Sequence, residues 1–174
     1  MKENKDMRKI PVFVSCPTDL SIEQNKKREV ILAMLDELQM EPRAIGRSDY
    51  PVDYPLKEVY VLAKHCSGGI ILGFEQIFIE TGIKKRNVKT KEGIINNISI
   101  PTAWNNLEAG ILFGLKIPLL IFKEDNIDGG VFDYGITDNF VHTMPSYKPS
   151  KVKLDELKQV FLTWHRLVSK KYYE

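Results

Sequence analysis

The sequence predicts an α/β chain: a flavodoxin-like three-layer sandwich on a five-stranded parallel sheet in the order 2-1-3-4-5, with an insertion after the third strand. Three observations lead there. Short apolar runs of strand length recur, in IPVFVS, GGIILGF and PLLIF. Longer segments with apolar residues at helical spacing lie between them. Strands alternating with helices fold as a parallel sheet covered on both faces. The length, 174 residues, fits one domain spanning 1–174.

Each element has its own justification. Residues 1–9 read as a loosely held arm. Ile10–Ser15 is β-branched and apolar, hence a buried strand. Ser21–Gln39 reads as a helix. Ser21 and Gln24 form a capping-box pair, and Ile22, Val30, Ile31, Met34, Leu35 and Leu38 supply an apolar face. Glu41–Gly46 is short and polar for a strand, as an edge strand is. Pro55–Cys66 opens a helix with proline in its first turn, where the missing N–H is harmless. Gly68–Phe74 reads as the central strand. Glu75–Ile100 carries the basic, poorly periodic GIKKRNVKTKEG and reads as an insertion, either a hairpin or a loop. Thr102 caps the next helix, on which Trp104, Leu107, Ile111 and Leu115 form the expected core stripe. Gly110 and Gly114 cost that helix ~1 kcal/mol each against alanine, and read as sites of close approach to the sheet or a ligand. Pro118–Glu124 and Asn139–Met144 are the last two strands. Lys153–Tyr173 closes the chain as a helix with Leu154, Leu157, Phe161, Trp164 and Val168 on one stripe.

Composition excludes several classes. The net charge is +2, with 43% hydrophobic and 28% charged residues, so no polyanion partner is implied. The segment KKRNVKTK lacks interleaved aromatics, so no nucleic-acid platform is expected. The apolar runs are too short to span a bilayer, and no membrane partner is expected. Cys16 and Cys66 stand far apart and in no metal spacing. With no signal peptide apparent, the expectation is a reduced, cytoplasmic protein. There is no GxGxxG, no P-loop and no Ser-His-Asp pattern, and neither a metal nor a cofactor is expected.

In a doubly wound sheet, ligands bind beyond the carboxyl ends of the strands, at the switch in strand order. The segments there are SCPTD, GRSDYP, GFEQ and KEDN. They converge as polar groups on one edge. Glu108 is the sharpest candidate. It lies in the second turn of its helix, and Asn105 and Trp104, three and four residues back, share its face. A solvated glutamate favoured by the helix dipole is the plainer reading. Arg47 and Asp49 form either a surface ion pair or an anion clamp, and Tyr50 beside them is able to stack on a base.

Three stretches carry a resemblance: VSCPTD, AKHCSGGIILGFEQ and NNLEAGILFGLKIPLLIF. Together they resemble the nucleoside 2-deoxyribosyltransferase-like group and the related TIR-like NAD-cleaving domains, over roughly 10–124. The resemblance implies a flavodoxin-like core and one catalytic glutamate, here Glu108, with Gly110 as the small residue after it. It implies cleavage or transfer of the N-glycosidic bond of a nucleoside, a nucleotide or possibly NAD. Ser15, Asn105 and Asp49 would orient ribose hydroxyls, with Pro17 in the first-strand loop. Arg47 would hold a phosphate. Phe74, Tyr50 or Trp104 would stack on the base. Relatives complete their sites across subunits, so a homo-oligomer is expected. The alternatives are a non-catalytic nucleotide-sensing module, and an interaction protein in which Glu108 serves only its helix.

Overall fold

The computed structural model describes residues 9–46, 49, 53–137 and 139–174. Arg47 and Tyr50 lie outside the described residues. Five strands, β1 (Ile10–Ser15), β2 (Met40–Arg43), β3 (Gly68–Gly73), β6 (Leu119–Lys123) and β7 (Val141–Thr143), form one sheet in the order β2-β1-β3-β6-β7. All neighbouring pairs are parallel. The helices are α1 (Ile22–Glu37), α2 (Pro55–Lys64), α3 (Ala103–Gly114) and α4 (Lys151–Tyr173). The architecture is consistent with a flavodoxin-like α/β sandwich. Among the described residues, no helix is long and apolar enough to cross a membrane.

The pleat of the central strands divides the core in two. Val12, Val14, Ile70, Leu72, Leu120 and Phe122 face one side, against Ile31, Met34 and Leu35 of α1 and Leu157, Phe161, Trp164 and Val168 of α4. Phe13, Ile71, Leu119 and Ile121 face the other, against α2 and α3 through Val59, Leu62, Ala63, Ala109 and Leu112. Each helix starts where its chemistry dictates. Ser21 and Gln24 exchange both bonds of a capping box at α1, and Pro55 opens α2. Thr102 and Ser150 accept backbone N–H groups at the starts of α3 and α4.

Three expectations are corrected. The edge strand β2 ends at Arg43 rather than reaching Gly46. Gly46 adopts φ +77° and donates its N–H to the Asp49 carbonyl, which turns the chain out of the sheet. On α3 the residues facing the core are Asn105, Ala109 and Leu112, while Trp104 and Leu107 are 41% and 48% exposed. Ile111 and Leu115 only flank that core. The helix is rotated by about one residue step, ~100°, from the expected stripe. Nor do Gly110 and Gly114 admit a close neighbour, since a Cβ at either meets nothing within 4 Å.

Close approach is provided instead by strand glycines. A Cβ at Gly69 would sit 2.8 Å from Leu112 Cδ1, so its absence lets α3 settle onto β3. Gly68, on the opposite face, would press on Val168, Trp164 and Val12 at 2.7, 2.8 and 2.9 Å. Between β3 and α3 the chain folds as an antiparallel hairpin, β4 (Ile77–Lys84) and β5 (Gly93–Ile100), forming a separate two-stranded sheet. It rises from the carboxyl edge of the main sheet.

Gly68→Ala is expected to lower stability by about 1–3 kcal/mol through overpacking, read as a fall in denaturation midpoint. Gly110→Ala, facing open space on a helix, is expected to raise stability by about 0.5–1 kcal/mol.

Candidate active site

At the carboxyl edge, the loops after β1 and β3 and the first turns of α2 and α3 enclose a cleft of about 260 Å³. Pro17, Asp19, Gln76, Trp104 and Glu108 line it, with Cys16, Thr18 and Thr102 beside them. Two larger cavities, about 560 and 440 Å³, lie along α4. The carboxylate in the first of these, Glu156, is already engaged by Lys153 at 2.8 Å. The smaller cleft is where a perturbed acid stands open to a ligand.

Glu108 is half-buried on the second turn of α3. Beneath it lie two buried polar side chains. Ser15 ends β1 and is 1% exposed, and Asn105 is fully buried one turn before Glu108. The pleat explains Ser15: with Phe13 it points to the α3 side of the sheet. Asn105 Nδ2 donates to Ser15 Oγ at 2.7 Å. The Ser15 hydroxyl, so oriented, lies close enough to the Glu108 carboxylate to favour its anion. A relay thus runs from helix to strand and back to the acid. Asn105 Oδ1 is buried with no hydrogen-bond partner among the described residues. Such an orphan costs about 1–3 kcal/mol, and it is tolerated at the base of this site.

Burial pushes the Glu108 pKa up from 4.5 to about 7, against the opposing pull of the Ser15 hydrogen bond. The neighbouring acid behaves in the opposite way. Burial alone would raise Glu124, but the Glu75 N–H, the Gln24 amide and the Lys27 ammonium hold it below its ordinary value. Glu124 Oε2 accepts from Glu75 N at 2.9 Å and Gln24 Nε2 at 3.0 Å, while Oε1 pairs with Lys27 at 3.0 Å. It ties α1 to the ends of β3 and β6. Two carboxylates on one sheet edge are therefore driven apart, one fixed as an anion and one poised near neutrality.

The other expected residues fall into different places. Trp104 and Pro17 line the cleft. Ser15 and Asn105 reach it only through Glu108, being buried behind the acid rather than on the wall. Phe74 is wholly buried in the α1/α4 core and cannot stack on a ligand, because it shares the pleat side of Ile70 and Leu72. Asp49 binds the Arg43 guanidinium through both oxygens, Nε reaching Oδ2 at 2.9 Å. That bidentate fork ties Asp49 to the end of β2.

Asp19 and Gln76, which the sequence placed at this edge within SCPTD and GFEQ without singling them out, also line the cleft. Gln76 is fixed by its N–H to the Ile100 carbonyl at 2.9 Å, and its side-chain amide donates to the Glu75 carbonyl at 3.0 Å. Their positions just beyond β1 and β3 were the available signal. Cys66 is inert: burial raises its thiol to about 12. Comparison with protein-family models, with curated proteins and with solved structures gave no match.

The raised acid has a consequence for stability. Glu108 holds its proton more tightly folded than unfolded, so folding loses free energy as pH climbs from about 4.5 through about 7. Glu108→Gln, neutral throughout, is expected to match the native chain near pH 4. At pH 8.5 it should exceed it by about 1–3 kcal/mol. Urea denaturation at the two pH values checks this.

Proposed function

We propose that the chain cleaves or transfers an N-glycosidic bond of a nucleoside or nucleotide, with Glu108 meeting the anomeric carbon. The observation that carries this reading is a half-buried carboxylate poised near neutrality on the wall of a small cleft at the switch in strand order. The resemblance of the α3–β6 segment to the deoxyribosyltransferase-like and TIR-like domains supports it, as does the position of Glu108 within that segment.

The chemistry follows from the charge. As the bond from C1′ to the base nitrogen breaks, its electron pair leaves with the base and positive charge gathers on the ribose ring. An ionised Glu108 stabilises that charge or bonds to C1′ as a glycosyl ester. Water or an acceptor base then attacks C1′, the carboxylate leaves, and the proton given up by the attacker passes to the departed anionic base, or to solvent where the base has left neutral. A base bonded to C1′ as a cation, as the nicotinamide ring is in NAD, departs neutral and needs no acid. The Ser15 hydroxyl holds the attacking carboxylate in one orientation. Asp19, exposed in the same cleft, offers acceptors to ribose hydroxyls, and Trp104 offers an aromatic face. The cleft lies at the small end for ligand pockets, which run from about 300 Å³ upward, and so fits a sugar with its base better than a whole dinucleotide.

Release of free base from a panel of nucleosides, nucleotides and NAD, read by chromatography, tests this. Turnover is expected for at least one substrate and should fall at least about 10³-fold in Glu108→Gln, as for loss of a nucleophile. The rate at low substrate is expected to rise with pH through about 7 as Glu108 ionises. Ser15→Ala, which removes the hydrogen bond favouring the anion, should move that midpoint upward. Activity surviving in Glu108→Gln would overturn the assignment. A ligand-induced thermal shift without base release would instead favour a nucleotide-sensing module.

A further inference from the structure

The hairpin β4–β5 stands clear of the main fold. From Ile77 through Ile98 none of its residues is buried. Its foot is tied down by Ser99 N to the Asn126 carbonyl at 3.3 Å and by Gln76 N to the Ile100 carbonyl at 2.9 Å. An eight-residue strand carries the tip roughly 23 Å from that foot. Pairing lapses between Ile79–Ile98 and Thr81–Asn96, where Asn97 has φ +53°. Beyond the lapse Ile83 pairs with Ile94, and the two share a side. Ile83, Ile94 and, in the turn, Val88 are 58%, 72% and 45% exposed. Basic residues stand among them: Lys84, Lys85, Arg86, Lys89 and Lys91. The one acid at the tip, Glu92, accepts the Asn87 N–H and so is committed to closing the turn. None of the five cations forms an ion pair among the described residues. The whole chain carries only +2, so outside residues 84–92 it is net negative.

We propose that this tip docks on an anionic lipid surface, its basic side chains among the headgroups and Ile83, Val88 and Ile94 against the outermost acyl carbons. The expectation of no membrane partner came from the lack of a spanning segment, and attachment to a surface requires none. Charge selects the partner. Each Lys or Arg held at an anionic bilayer multiplies affinity about fivefold, and five lie within residues 84–91. The tip stands farther from the foot than the screening length of about 8–10 Å, so the negative body does not neutralise it. The same surface repels that body, and the tip leads. The apolar side chains set the class of polyanion. A nucleic acid engages the same cations but leaves the isoleucines without a role, since bases stack on aromatic rings and residues 79–98 contain none. Lipid gives those side chains a cover, and a two-stranded sheet, marginal in water, gains from it. The open backbone edges of the ribbon still need water, so it rests at headgroup level and goes no deeper.

Flotation of the full chain with vesicles of phosphatidylcholine containing about 30% phosphatidylserine, in about 50 mM and about 500 mM salt, tests the proposal. Expected is binding to the anionic vesicles that falls at least about tenfold in the higher salt, and equally on phosphatidylcholine alone. Lys85→Ser with Lys89→Ser is expected to weaken it at least about tenfold. Ile83→Ser with Ile94→Ser keeps every charge and is expected to weaken it at least about threefold, with circular dichroism unchanged. Val88→Ser, outside both strands, is expected to act in the same direction. In Val88→Trp, emission should shift to the blue on anionic vesicles beyond any change in the native Trp104 and Trp164. A native chain that fails to float with anionic vesicles in low salt overturns the proposal. So does binding that needs the lysines but ignores all three apolar positions, or tighter retention of a short DNA or RNA duplex than of the vesicles. Either would assign the tip to a hydrated polyanion. Base release plays no part in these readouts, so the catalytic reading and this one fail separately.

Discussion

The seating of α3 on the central strands governs the rest of the molecule. Gly69 removes the one side chain that would hold Leu112 off β3. With the helix that low, Asn105 reaches Ser15 across 2.7 Å, and Glu108, one turn on, comes to the lip of the sheet. The same seating brings Asn106 to Val131, whose N–H donates to Asn106 Oδ1 at 2.9 Å. That bond holds the turn 130–132 under the end of β6, and Gly130, at φ +62°, leaves the room it needs. A helix riding an ångström higher would lose the relay, the anchored turn and the buried acid together.

The same edge shows how one fold produces two kinds of carboxylate. Glu124 and Glu108 are both partly withdrawn from water, and withdrawal raises both. What separates them is the number of donors supplied. Glu124 receives a backbone N–H, an amide and an ammonium, and becomes a structural anion joining α1, β3 and β6. Glu108 receives one hydroxyl, itself oriented by a buried amide. The structural anion is the better satisfied of the two, and the candidate catalytic acid is the one left short.

The strands of the main sheet were legible because strands buried on two faces must be apolar throughout, and IPVFVS and GGIILG are. The rotation of α3 was not legible. Its residues are apolar almost all round, with Trp104, Leu107, Ile111 and Phe113 as suitable for a core as Ala109 and Leu112. The choice among them was made by a bond between residues 90 apart and by a glycine on another strand. Phe74 was misassigned although the signal existed. Counting by twos from Ile70 through Leu72 places it in the α1/α4 core. The hairpin strands were readable in the alternation of IFIETGI and GIINNISI, although the basic turn between them carries no period of its own. Convergence of Asp19 and Gln76 on Glu108 is tertiary, and only the loop positions hinted at it.

Gln76, on the cleft wall, is joined directly to Ile77, the first residue of β4, and its N–H donates to the carbonyl of Ile100, the last residue of β5. Ile100 in turn lies two residues before Thr102, the cap of the helix that carries Glu108. The foot of the hairpin and the rim of the cleft are thus one short piece of backbone. Thermodynamic reciprocity applies to any such shared element. Whatever steadies the hairpin from outside steadies the rim, and a molecule held at the rim returns the same free energy to the hairpin. An arm built this way is a lever as well as a surface, with its short end in the cleft and its long end in solvent.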